Sequence, residues 1–138
     1  MYGLFMSGKK NTLELASLFA ALADPTRLRL LNLMSGREVC VCYFVEILRQ
    51  SQPKISRHLA YLRKAGIVSA RREGKWMHYR IEVPKHEAAA AILMQVLRSF
   101  EDDAAMRDDL ARLTRVCCQP AKFVALEGAP LPMQVGAN

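Results

Sequence analysis

The stretch Gln50–Val68, Gln-Ser-Gln-Pro-Lys-Ile-Ser-Arg-His-Leu-Ala-Tyr-Leu-Arg-Lys-Ala-Gly-Ile-Val, narrows the choice of fold more than any other part of this chain. It reads as a helix that is apolar on one side and basic on the other. Ser51 is a good N-cap, and Pro53 falls in the first turn, where its missing N–H costs nothing. Ile55, Leu59 and Leu62 repeat at helical spacing and share a face. At about 100° per residue, Pro53, Arg57, Ala60 and Lys64 point the other way, with Lys54, Ser56 and Tyr61 on the flanks. Gly66 then supplies a helix stop. An ordinary surface helix with a solvated charged face would show the same pattern, so its neighbours decide.

Those neighbours point to DNA. Val39–Leu48 reads as a short apolar helix, and Arg49–Ser51 as a tight turn into the basic one. Two short helices around such a turn, the second basic, match a helix-turn-helix. After Gly66, the runs Ile67–Glu73 and Trp76–Val83 are extended in character and flank a Gly74-Lys75 turn. A basic hairpin joined to a helix-turn-helix makes a winged helix.

Charge is concentrated in the same place. Arg49–Arg80 holds nine Lys and Arg residues and one acid, Glu73, a balance of +8, whereas the whole chain carries +7. A surface of this kind attracts a polyanion. Spread over a helix and a hairpin, it fits duplex DNA better than a membrane surface. No apolar run approaches the roughly 20 residues that span a bilayer, and Met1–Lys10 lacks the order of a signal peptide. The expected setting is therefore the cytoplasm, with the four cysteines as reduced thiols.

Elsewhere the chain reads as helices around one core. Residues 1–10 carry no periodic signal and are expected to be a flexible N-terminus; residues 11–118 form the domain, and the Pro- and Gly-containing residues 119–138 an irregular tail. Asn11 or Thr12 caps a first helix with Leu15, Leu18, Phe19 and Leu22 on its apolar stripe. Asp24-Pro25 opens a second, in which Leu28, Leu31, Leu33 and Met34 are buried and Arg27 and Arg29 stay in solvent. A long helix from about Lys85 to Phe100 carries more apolar surface than one winged helix needs, which points to a two-fold homodimer built with the first helix. Glu101-Asp102-Asp103 caps a last helix ending at Cys118.

Four motifs in order resemble the ArsR/SmtB family of metal-responsive repressors, over roughly Leu15–Leu97. Leu22–Leu31 looks like the family's second-helix signature, Val39-Cys40-Val41-Cys42 its metal box and Ser51–Leu59 its recognition helix. Gly74–Arg80 is similar to the wing of the arsenic-responsive repressors. The resemblance implies a dimeric winged-helix repressor that holds operator DNA when ligand-free and releases it when metal binds. One departure stands out: where the arsenite repressors carry a third cysteine, this chain has Val45, while Cys117-Cys118 are extra to the pattern.

As(III) is soft and three-coordinate, and takes three thiolates or two plus an exchangeable ligand. Cys40 and Cys42, two apart, would lie on opposite sides of a regular helix but on one side of an extended backbone. If both hold one ion, the start of their helix must be irregular. The third sulfur is expected from Cys117 or Cys118, in the same chain or across the dimer; adjacent helical residues diverge, so one should serve more easily than both. As(III) is the expected inducer, with Sb(III) beside it. All four sulfurs together would instead suit Cd(II), Pb(II) or Zn(II), and a metal-free thiol redox sensor would use the same cysteines. His58 is expected to make a structural hydrogen bond, His78 to touch phosphate, and His86 and Glu87 to lie on the surface. An enzyme fits poorly, since Cys-x-Cys lacks the redox spacing and no His–Asp pair is apparent. On the DNA face, Arg57 is the expected base reader, with Gln52, Lys54 and Ser56 helping, Ser51 on phosphate, and Arg71, Arg72 and Lys75 on the backbone or minor groove.

Overall fold

The computed structural model describes residues 2–118 and 128–135, with side chains from Thr12 to Cys117 and from Gly128 to Val135. Among the described residues, six α-helices run in the order α1 (Tyr2–Leu22), α2 (Pro25–Met34), α3 (Val41–Leu48), α4 (Gln52–Lys64), α5 (Glu87–Ser99) and α6 (Ala104–Cys118). Four strands, β1 (Arg37–Cys40), β2 (Val68–Glu73), β3 (Trp76–Ile81) and β4 (Met133–Gln134), form one sheet in the order β2-β3-β1-β4. Every pairing in it is antiparallel.

The helix-turn-helix and wing form as their local chemistry dictates. Ser51 caps α4 by accepting the Lys54 N–H, while Ile55, Leu59 and Leu62 are wholly buried. Burying such aliphatic side chains supplies the dominant favourable term, about 25 cal/mol per Å2 of apolar surface. At the far end Gly66 adopts φ +81°, and Ile67 N–H reaches back to the Leu62 carbonyl at 3.2 Å, a left-handed helix stop that favours glycine. Arg49, in the left-handed region at φ 54°, turns the chain between α3 and α4. Gly74, also at positive φ, makes the hairpin turn that pairs Glu73 with Trp76. The chain thus folds as a winged helix-turn-helix, mainly helical with a small antiparallel sheet.

Four expectations need correction. Val39 and Cys40 are not helical: Arg37–Cys40 is a strand, and the helix begins at Val41. Four residues are too few to show periodicity, and the strand exists because β3 offers it an edge, with Val39 opposite Tyr79 and Cys40 opposite His78. Helix α1 starts at Tyr2, well before the cap expected at Asn11. Arg27 and Arg29 are not left to solvent. Arg27 donates to the Ala20 and Ala21 carbonyls and stacks on Tyr61, and Arg29 forms a two-pronged pair with buried Asp109 at 2.8 and 3.0 Å. In the tail, Met133–Gln134 is a strand pairing with Arg37–Glu38. Residues 119–127 and 136–138 lie outside the described residues, as does the Cys118 side chain.

Helix α6 is tied to the body by polar contacts as well as by Leu113 and Val116. Beside the Arg29–Asp109 pair, Asn32 donates to the Met106 carbonyl and Arg112 to the Ile47 carbonyl, so α6 bridges α2 and α3. Helices α1 and α5 pack together yet leave Leu13, Phe19 and Met94 exposed. None of the helices among the described residues is long and apolar enough to cross a membrane.

Candidate thiol centre and nucleic-acid interface

The corrected boundary at Val41 brings the two sulfurs together. Cys40 is the last strand residue and sits at the N-cap of α3 with φ −70° and ψ 144°, extended backbone, while Cys42 lies in the first helical turn. The chain therefore changes direction between them, and the Sγ atoms approach to 3.2 Å. Regular helix would have separated them; the strand–helix junction is the irregular start that a shared ion requires.

Their protons are unequally held. Cys42 donates its S–H to Cys40, which lowers the Cys40 pKa to about 6; burial opposes this, and the charge of His78 assists. The Cys42 thiol is pushed well above its ordinary range by the same bond and by burial. The bond thus favours a thiolate on Cys40 beside a thiol on Cys42, the more reactive arrangement for capturing a soft ion. Cys40 is fully buried and Cys42 half-buried, so approach comes from the Cys42 side.

Cys117 is a neighbour of this pair without completing it. Its charge acts on Arg37 and on Tyr43, the residue after Cys42. Burial pushes the Tyr43 hydroxyl up to about 12, and Cys117, Cys42 and Cys40 add to the shift in that order. That hydroxyl is buried without a hydrogen-bond partner among the described residues. Cys117 also lines a cavity of about 350 Å3 with Arg37, Leu113, Leu131 and Gln134, closed on one side by the β4 segment. Among the described residues no three His, Cys, Asp or Glu side chains cluster tightly enough to hold a metal ion.

The histidines divide between structure and surface. His58 Nδ1 lies 3.3 Å from the Arg27 guanidinium, consistent with the structural bond expected of it. His86 caps α5 by accepting the Ala89 N–H. His78 is buried, out of reach of a phosphate, and stands next to Cys40 across the sheet. Nothing in the spacing of Met77-His78-Tyr79 announces this; only the pairing of β3 with a strand hidden in the metal box places it there.

On the opposite side of α4, Ser51, Gln52, Lys54, Ser56 and Arg57 are all exposed, and Arg63 and Lys64 extend the basic face to the last turn. The three wing cations differ. Arg72 and Lys75 are exposed near the hairpin turn, Lys75 over the Trp76 ring at 4.9 Å. Arg71 is held by Glu38 at 2.6 and 3.1 Å and by Glu73 at 3.3 Å. Sequence reasoning passed over Glu38, whose one signal is that it sits two residues before Cys40, on the same face of a strand.

With this geometry, the relatives are informative. The family model described as bacterial regulatory protein, arsR family, matches residues 24–70, from the α2 cap into β2. The arsenical resistance operon repressor of Escherichia coli (strain K12) is 46% identical over 86 residues, 62% of this chain and 74% of that protein. The arsenic resistance transcriptional regulator ArsR2 of Pseudomonas putida is 40% identical over 108 residues, 72% of this chain and 94% of that protein. Among solved structures, HlyU from Vibrio cholerae N16961 aligns with a TM-score of 0.57 at 29% identity, covering 64% of this chain and 94% of its own. Members of this group are regulators and not enzymes. The chain belongs to the arsR family of bacterial regulatory proteins.

Proposed function

We propose that the protein is a transcriptional repressor that holds operator DNA as a homodimer and releases it when As(III) is captured at Cys40 and Cys42. The observation that carries this reading is the 3.2 Å sulfur pair at the β1–α3 junction, one helix away from α4. Its thiolate is ready at neutral pH. When arsenous acid binds, the Cys40 thiolate displaces one hydroxide, which takes the Cys42 proton and leaves as water. Cys42 then displaces a second hydroxide, which takes a proton from solvent and leaves as water, and no electrons change hands. The third position is filled by the remaining hydroxide or by Cys117 drawn in from beside Tyr43, with Cys118 the alternative donor. The names of the E. coli and P. putida relatives support an arsenical inducer, and Sb(III), with the same soft, three-coordinate chemistry, is the second candidate ion.

On DNA, α4 enters the major groove with Arg57 reading a base edge and Gln52, Lys54 and Ser56 alongside, while Ser51, Arg72 and Lys75 contact the backbone. Exposed apolar residues on α1 and α5, including Phe19 and Met94, form the dimer contact. Two-fold symmetry then requires half-sites about 34–36 Å apart. Because α3 packs on α4, reshaping its first turn around an ion moves the reading helix. Fluorescence anisotropy of a labelled promoter fragment tests this across arsenite, antimonite, cadmium, lead and zinc. Release by arsenite at concentrations where zinc and cadmium leave the complex intact supports the reading; release by cadmium or zinc alone replaces As(III) with a divalent ion.

A further inference from the structure

The thiol pair is physically continuous with the wing. In the sheet order β2-β3-β1, Arg71 lies opposite His78, and His78 lies opposite Cys40, so the three form one row across the strands. Residues directly opposite in antiparallel strands share a face, and residues two apart on one strand join it. Glu38 and Glu73 therefore belong to the same face as Cys40 and Arg71. Side-chain distances bear this out. Glu38, almost fully buried, reaches across β3 to hold Arg71 with one carboxylate oxygen, 2.6 and 3.1 Å from two guanidinium nitrogens. Glu73 lies 3.3 Å from Arg71 and 3.5 Å from His78 Nε2, a buried nitrogen with no hydrogen bond among the described residues.

This row has the thiol site at one end and the base of the basic hairpin at the other. Resting on the function proposed above, we propose that Glu38 is a positioning residue that couples the two: the Glu38–Arg71 bridge transmits the displacement of β1 on ion capture to the wing. Glu38 is two residues from Cys40 on a four-residue strand, so β1 cannot re-form around an ion without moving its carboxylate. Arg71 is anchored to that carboxylate, and the strand carrying it leads within one residue to Arg72 and through the turn to Lys75. The wing grips DNA when the bridge is intact and is re-aimed when ion capture pulls Glu38 away. This route acts beside the α3–α4 contact and through a different set of residues.

Trp76, the sole tryptophan in the chain, sits at the start of β3 opposite Glu73 and reports on the wing directly. The variants are Glu38→Ala, which removes the bridge, and Glu38→Gln, which keeps an acceptor oxygen but loses the charge. Arsenite capture is followed by sulfur-to-arsenic charge-transfer absorption, the wing by Trp76 fluorescence, and DNA by anisotropy. Ligand couplings in regulators are typically about 5–150-fold. In wild type, arsenite changes both Trp76 emission and DNA affinity. In Glu38→Ala, capture persists while the Trp76 response is lost and the arsenite-induced loss of affinity shrinks several-fold, with Glu38→Gln between the two. Wild-type responses in a variant that captures arsenite overturn the proposal, and should Glu38→Ala fail to fold, Glu38→Gln alone decides it by the same criterion. A wild-type Trp76 signal indifferent to captured arsenite also overturns it. Failure of wild type to release DNA at all removes the reading of function instead, so the two failures are distinguishable.

Discussion

In the proposed function Arg57 and Cys40 carry most of the chemistry, and each can be tested by substitution. Arg57 projects from the exposed face of α4. Replacing it with alanine should weaken operator binding by about 1–3 kcal/mol, the value of one good bidentate base contact, and leave non-specific affinity nearly unchanged; equal losses on both DNAs would remove its base-reading role. Lys75→Ala, by contrast, should lower the salt slope by about 1 without altering site preference. For Cys40, the shift is downward, from an ordinary 9.0 to about 6. A depressed pKa means that the thiolate's contribution is complete above the ordinary value and is lost as pH falls through about 6. Thiolate absorbance of the reduced protein should therefore fall with a midpoint near that pH, vanish in Cys40→Ser, and move towards the ordinary range in Cys42→Ala, which removes the donor. The cysteines were legible from the sequence as a pair needing an irregular backbone, because helical geometry alone separates them. That Cys40 would be the thiolate was not, since it depends on which sulfur donates and on His78 from another strand.

At the level of elements, local signals were read correctly where they were strong. Asp24-Pro25, Ser51 with Pro53, Gly66 and Gly74 each fix a boundary by backbone chemistry, and α2, α4 and the hairpin fall where those residues put them. Long-range order was hidden. Strand β1 exists because β3 pairs with it, and Arg29 is drawn from solvent by an aspartate eighty positions away. That pair fastens α6, with Cys117 near its end, to α2. Asp109→Asn keeps the shape but removes the charge that Arg29 faces, and it should lower stability by about 1–3 kcal/mol, read as a reduced Tm with α4 still helical. An unchanged Tm would mean that Asn32, Arg112 and the apolar contacts alone hold α6.

At the scale of the whole molecule, charge, exposed apolar side chains and sulfur lie in separate places. Positive charge lies on α4 and the hairpin, apolar surface on α1 and α5, and sulfur in the sheet–helix junction between them. If α1 and α5 build the dimer, Met94→Glu should yield monomers in sedimentation experiments and weaken operator binding while leaving the helical spectrum intact. A variant that stays dimeric would place the interface elsewhere. The winged architecture and the exposed basic face of α4 were visible in the sequence because amphipathic spacing and charge are local; the row of side chains from Cys40 to Arg71 was not, because it is made by strand register. In the proposed function, ion capture at Cys40 and Cys42 loosens the grip on DNA. Its most direct measurement is an arsenite titration of the operator complex for wild type and Cys40→Ser, followed by anisotropy under reducing conditions. Wild type should release the operator, whereas Cys40→Ser should bind DNA normally and ignore arsenite; release of both at the same concentration would rule out capture at this pair as the trigger.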